Sequence, residues 1–204
     1  MVAVPIVTAL RARRPGRVEV ELDGAPWRVV PAEAVHRAGL AVGGRLDRPR
    51  ARELGRELRR QQALGTALGA LRWRDHTAAS LEQRLVQRGV APPARRQALE
   101  TLDRAGLVDD VRFAQGRAAL LAGRGSGNLL IADDLERHGV AKELVADALG
   151  SLAPERDRVS DIVERRGLSV RTLRALTAKG FSEAAIEPLV AHLEDGAVGY
   201  ESFI

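Results

Sequence analysis

The chain has no cysteine, which excludes disulfides and thiolate-bound metal. Aromatic residues make up only 3% of it, so any core must rest on Leu, Val, Ala and Ile. Only two of its 32 basic residues, Lys142 and Lys179, are lysines. No apolar run approaches the ~20 residues a membrane helix requires. The opening MVAVPIVTALRARR lacks the basic-then-apolar order of a secretory signal. A cytoplasmic location is therefore expected, with no membrane partner.

What is present is 45% hydrophobic and 29% charged in 204 residues, the balance of an ordinary globular protein. Abundant Ala and Leu tilt the chain towards helix. The formal charge of +5 is uneven: residues 1–60 hold 13 Arg against 7 acidic residues, and the remainder is nearly neutral. Arginine favours bidentate contact with phosphate or carboxylate, so a basic N-terminal third is a candidate partner surface.

A small β-rich lobe is expected over residues 1–47. Val18, Val20 and Leu22 alternate with Arg17, Glu19 and Glu21, the period of a half-buried strand. Asp23-Gly24 is a tight-hairpin pair, Trp27, Val29 and Val30 supply the returning strand, and residues 4–11 a third. Arg11, Arg13, Arg14 and Arg17 cluster around the connection at Pro15-Gly16 and are candidates for DNA phosphate contact. A short helix is expected to stop at Gly39.

From residue 50 the period becomes helical, over 50–72, 77–88, 92–105, 109–123, 128–138, 141–152, 154–166, 169–179 and 183–195. Asp109, Asp110 and Ser182 are expected to cap helix N-termini. Phe181 is positioned to pack on Ile186, and Pro188 predicts a kink or a later start of the last helix. Gly89, Gly139 and Gly180 occupy positions suited to a left-handed helix stop. Four residues before each lie Leu85, Leu135 and Leu176; one residue after, Val90, Val140 and Phe181. Apolar residues recur nine, ten and thirteen positions later, on one helical face. The same helix–glycine–helix unit thus recurs at intervals of 50 and 41 residues, each time preceded by another helix. The expected fold class is mainly α: three tandem three-helix modules (50–107, 108–153 and 154–196) forming an elongated helical array. The apolar tail GYESFI within 197–204 is a candidate to fold back on the last module.

No catalytic pattern emerges. His36, His76, His138 and His192 are scattered, with no relay or metal-ligand spacing, so neither metal nor cofactor is expected. Asp133-Asp134 reads as a solvated helix face. The loop GRGSGN (123–128) lacks the Gly-Lys-Ser/Thr ending of a nucleotide loop and follows no strand, so it reads as a flexible connector.

GLVDDVRFA (106–114) resembles the signature of the RecX family, regulators of the RecA recombinase. The matching positions are Gly106, Leu107, Val108, Asp109, Asp110, Phe113 and Ala114. The resemblance runs on through GRGSG into ADDLERHGV, with its closing triplet His138, Gly139 and Val140, and backwards to Arg88, Gly89 and Val90. It covers residues 60 to 195. His138 stands where lysine is usual in the family, and Asn128 where proline is common. The resemblance implies a non-enzymatic inhibitor that lies in the groove of the RecA–single-stranded-DNA filament, and a monomer is expected. It would there suppress ATPase, strand exchange and co-protease activity. The basic residues proposed for this contact are Arg84, Arg88, Arg112, Arg117, Arg124 and Arg137. Leu85, Gly89, Gly106, Asp109, Asp110, Phe113, Leu135, Gly139 and Gly180 are assigned to architecture. The alternative is a helix-turn-helix-like regulator that binds single- or double-stranded DNA directly, with Arg95 and Arg96 near the exposed end of the second helix.

Overall fold

The computed structural model describes residues 4–201, which divide into two compact units. The first comprises residues 4–75 and 81–108, the second residues 76–80 and 109–201.

The first unit opens with an antiparallel sheet in the order β1-β2-β3, formed by Val7–Arg14, Arg17–Leu22 and Ala25–Pro31. Asp23 and Gly24 both take positive φ, at 49° and 83°, as their tight turn demands. β1 differs from expectation: it starts at Val7 and continues through the arginine run to Arg14. Diagonal cross-strand ion pairs, Arg11–Glu21 at 3.1 Å and Arg13–Glu19 at 2.8 Å, occupy two of the four arginines. Arg14 and Arg17 face each other in register at the hairpin end and are exposed.

The inner sheet residues Val7, Val20 and Val30 pack with Ala34 and Val35 of α1 (Ala32–Arg37) and with Leu54 of α2 (Arg48–Leu71). The lobe therefore does not close by residue 47; α2 completes its core. Further along, α2 buries an alanine stripe, with Ala63 meeting Leu85 of α3 (Ala78–Gln87) and Ala94 and Ala98 of α4 (Pro92–Arg104). Small side chains let these helices approach closely.

In the second unit, α5 (Asp110–Gly123), α6 (Asn128–Arg137) and α7 (Lys142–Gly150) enclose Ala114, Ala118, Ile131, Leu135, Val145 and Ala148. A further core of Val159, Leu176, Phe181, Ala185 and Ile186 lies among α8 (Glu155–Arg166), α9 (Val170–Ala178) and α10 (Glu183–Glu201). Phe181 and Ile186 share this core, as the staple requires. α10 starts at Glu183 and runs through Pro188, so the proline costs one ladder bond without delaying the helix. The helix also takes in most of the expected tail; the docking expected of that tail lies outside the described residues.

The glycine turns share one closure. Gly89 N–H donates to Val86 C=O (2.9 Å) and Val90 N–H to Leu85 C=O (3.0 Å), with Gly89 at φ 69°. Both bonds recur at Gly139–Val140 and Gly180–Phe181, and also at Gly39, Gly106 and Gly125. This is the two-bond stop that satisfies the last helical carbonyls, with an apolar pair clasped across it at every turn but that of Gly125, where Ser126 follows the glycine.

Two of these turns also receive the start of another helix. Thr77, which accepts from Ser80 N–H at 3.0 Å to cap α3, donates its hydroxyl to His138 C=O, just before Gly139. Fifty residues on, Gly127, the N-cap of α6, donates its N–H to Lys179 C=O (2.8 Å), just before Gly180. A carboxylate completes each joint. Asp110, the first residue of α5, accepts from Ala78 N–H (2.9 Å). Glu155, the first residue of α8, accepts from Asn128 N–H (2.6 Å).

These joints correct three expectations. Asp109 does cap α5, accepting from Arg112 N–H at 2.9 Å, but Asp110 serves α3 instead. The Ser182 hydroxyl donates to Glu155 instead of accepting from its own helix. The GRGSGN loop is no loose connector: Ser126 and Gly127 are buried, and their backbone groups bond to Leu121 of α5, Arg158 of α8, Lys179 before the α9–α10 turn and Ile131 of α6.

A candidate cationic groove on the second unit

The six arginines proposed for partner contact are divided between the two units. Arg84 on α3 and Arg88 just beyond its end are exposed, in the first unit. The other four belong to the second unit, and two of these spend their charge internally. Arg117 grips Asp134 with both arms, at 2.8 and 2.9 Å, and is only half-exposed. Asp134 is thus no solvated face; it ties α6 to α5. Arg137 pairs with Asp133 one turn earlier. Arg112 is exposed at the start of α5.

The Arg117 guanidinium, chiefly through its hydrogen bonds, holds the Asp134 carboxyl below its ordinary value, while partial burial works against it. A lowered native value stabilises the fold above the unfolded carboxylate range, about pH 4, and that contribution is lost as pH falls through the native value. In acid titrations followed by circular dichroism, Asp134→Asn is expected to be less stable than the parent at pH 7, with the two converging as acid protonates Asp134. A difference that persists unchanged at low pH would contradict this assignment.

Arg124 has a different setting. It stands at the rim of a groove of about 1010 Å³ formed by the end of α5, the length of α8 and the end of α9. Arg158, Arg165 and Arg166 of α8 and Lys179 beyond α9 join it there, with Asp161 the one acidic residue of the lining. Arg158 is structural. Its guanidinium donates to Ser126 C=O (2.9 Å) and to the Asn128 side chain, and lies 5.7 Å from the centre of the Phe181 ring. Burial pushes it below the ordinary arginine value, and the nearby Glu155 carboxylate opposes the shift. Arg124, Arg165, Arg166 and Lys179 are exposed and form no ion pair among the described residues. Ala119, Ala122, Leu152 and Ile162 supply aliphatic surface between them.

Sequence reasoning found Arg124 and missed the others. A signal was available: Arg158, Ile162 and Arg165 lie at i, i+4 and i+7, on one face of α8. Arg166 adjoins Arg165, and Lys179 directly precedes the turn glycine.

The groove holds neither a nucleophile–base pair nor, among the described residues, a group of three or more potential metal ligands. It can bind anionic groups beside aliphatic ones. Of the two arginines of the helix-turn-helix reading, Arg95 is committed to Glu82 (2.7 Å) and Val90 C=O (2.7 Å) across the α3–α4 turn, and Arg96 is exposed. No described helix is long and apolar enough to cross a membrane.

No family model matches the sequence. Regulatory protein RecX of Xanthomonas axonopodis pv. citri (strain 306) is 30% identical over 146 residues, covering 60% of this chain and 90% of that protein. The chain belongs to the RecX family. The RecX of Stenotrophomonas maltophilia (strain R551-3) is 33% identical over 112 residues, 54% of this chain and 69% of its own. A crystal structure described as regulatory protein RecX superposes with a TM-score of 0.77 at 20% identity, covering 92% of this chain and all of that one. The RecX fold, mainly helical with a three-stranded N-terminal sheet, is therefore shared. The protein is a RecX-family regulator.

Proposed function

We propose that this RecX-family chain restrains the RecA recombinase by lying in the groove of the RecA–single-stranded-DNA filament. Occupying the groove depresses ATPase turnover, blocks strand exchange and suppresses co-protease activity. The observation that carries this reading is the match over 90% of a RecX regulatory protein, together with a cationic groove free of catalytic groups. Repeated helical units suit a repeating target: several weak contacts on one chain act at high effective concentration, so affinity for a polymer exceeds affinity for a single protomer. Arg84, Arg88, Arg112 and Arg124 are exposed and remain the proposed contacts; Arg117 is held by Asp134 in a half-buried pair, and Arg137 pairs with Asp133 on the surface.

The test is the single-stranded-DNA-dependent ATPase of the host's RecA, titrated with this protein at fixed salt. Inhibition that deepens as the protein is added is expected; completion at far fewer molecules than RecA protomers would point to filament ends instead of coating of the groove. Undiminished ATPase at equimolar protein would overturn the proposal.

A further inference from the structure

We propose that the groove on the second unit is a docking cleft for an acidic, amphipathic segment of a protein partner. The inference deepens the reading of a protein target, but it stands on observations local to the groove.

The first observation is how the charges are used. Arg117, Arg137, Arg95, Arg11 and Arg13 answer a carboxylate within their own unit. Exposed cations elsewhere that answer none among the described residues, such as Arg14, Arg17, Arg84 and Arg88, line neither this groove nor its rim. At the groove, Arg124, Arg165, Arg166 and Lys179 answer none among the described residues, and Asp161 alone opposes them. Unpaired cations at such density repel one another, and a ligand rich in carboxylates or phosphates relieves that repulsion. Arginine meets either group with a planar fork.

The second observation separates the two anions. A single-stranded nucleic acid bound in a groove needs aromatic faces on which its bases stack. The only aromatic in the groove lining, Phe181, is 3% exposed, and its ring lies beneath the Arg158 guanidinium. The surface between the charges is aliphatic, from Ala119, Ala122, Leu152 and Ile162. Aliphatic surface receives aliphatic side chains. A volume of about 1010 Å³ also sits at the upper end of small-ligand sites, roughly 300–1,000 Å³, and suits a stretch of chain better than a metabolite. A helix with leucines on one stripe and glutamates beside it places apolar groups on the floor and carboxylates at the rim, the helix-in-groove mode of recognition.

The probe is a fluorescein-labelled peptide of about 15 residues, with leucines at helical i, i+3, i+4, i+7 spacing and glutamates flanking them. A peptide of the same composition with scrambled leucines and an oligothymidylate of equal length serve as comparisons. By fluorescence anisotropy the patterned peptide is expected to bind at least about tenfold more tightly than the scrambled one. The double variant R165E/R166E is expected to weaken it by about thirtyfold or more, while the protein stays folded with a modestly lowered melting temperature, because neither arginine holds an internal ion pair but both lie in the last turn of α8, where carboxylates oppose the helix dipole. Equal binding of the two peptides, or binding that ignores R165E/R166E, would overturn the proposal. So would oligothymidylate that depends on Arg165 and Arg166 while the peptide fails to bind. The RecA ATPase separates this idea from the one beneath it. If parent and R165E/R166E proteins inhibit equally and the peptide does not bind, the groove assignment falls and filament regulation stands. If the peptide docks through Arg165 and Arg166 but the parent leaves the ATPase untouched, filament regulation falls and the groove assignment stands.

Discussion

Gly127→Val is expected to unfold the second unit while leaving the first folded. The backbone at Gly127, with φ −81° and ψ 170°, is open to any residue, so conformational freedom is not the reason for glycine. Space is. A Cβ at this position would fall 2.1 Å from Phe181 N and 2.2 Å from both Gly180 C and O. These are backbone atoms, so no side-chain rotation relieves the overlap. Separating the two segments would also break Gly127 N–H to Lys179 C=O (2.8 Å) and Leu129 N–H to Gly180 C=O (3.0 Å). The expected cost exceeds about 4 kcal/mol, in the range reserved for disrupted cores and strained backbone. Gly116→Ala is the control: it lies inside α5 with nothing within 4 Å of the place its methyl would take, and should stabilise by about 0.5–1 kcal/mol. Urea titration with two readouts checks both variants. Trp27 and Trp73, the only tryptophans, both lie in the first unit, so fluorescence follows that unit alone while far-ultraviolet circular dichroism follows both. A Gly127→Val protein with parental helix content would refute the close-approach argument.

Glu155→Ala is the second large effect. This one carboxylate accepts from Asn128 N–H (2.6 Å), Ser182 N–H (3.3 Å) and the Ser182 hydroxyl. It thereby fastens the first residue of α8 to the start of α6 and to the α9–α10 turn. Leaving such donors without an acceptor costs about 1–3 kcal/mol, and half-exposure of the site keeps the expected loss inside that range. Glu155→Gln should fall between parent and alanine variant, since its single carbonyl can serve Asn128 while its amide opposes Ser182 N–H. Asp110→Ala removes one acceptor bond instead of three and should cost about 1 kcal/mol, as for a lost helix cap. Equal losses for Glu155→Ala and Asp110→Ala would show that the extra contacts to Ser182 contribute nothing.

Residues local in sequence made most of the fold legible. Alternation of Val18, Val20 and Leu22 with charged neighbours marked the second strand, and Asp23-Gly24 marked its turn. Leu85, Gly89 and Val90, with their counterparts fifty and ninety-one residues on, marked each helix stop because the two-bond closure spans only six residues. The GLVDDVRFA stretch carried the family. What failed were assignments whose partners lie far along the chain. Asp110 looked like a cap for its own helix, and Asp134 like a solvated residue. Their partners, Ala78 and Arg117, lie 32 and 17 residues away, and no periodicity reports such a pairing.

The candidate site divides in the same way. Sequence alone determined the helix–glycine–helix repeat, the β-hairpin, the scarcity of catalytic groups and the abundance of arginine. Tertiary structure decided which arginines are available. Arg117 and Arg124 are seven residues apart on α5 and at its C-cap, yet one is clasped by Asp134 and the other faces a groove with no ion pair among the described residues. The reason is physical. Helical spacing determines which face a side chain occupies, but only the packing of α5 against α6 and α8 places a carboxylate beside one arginine and other cations beside the next.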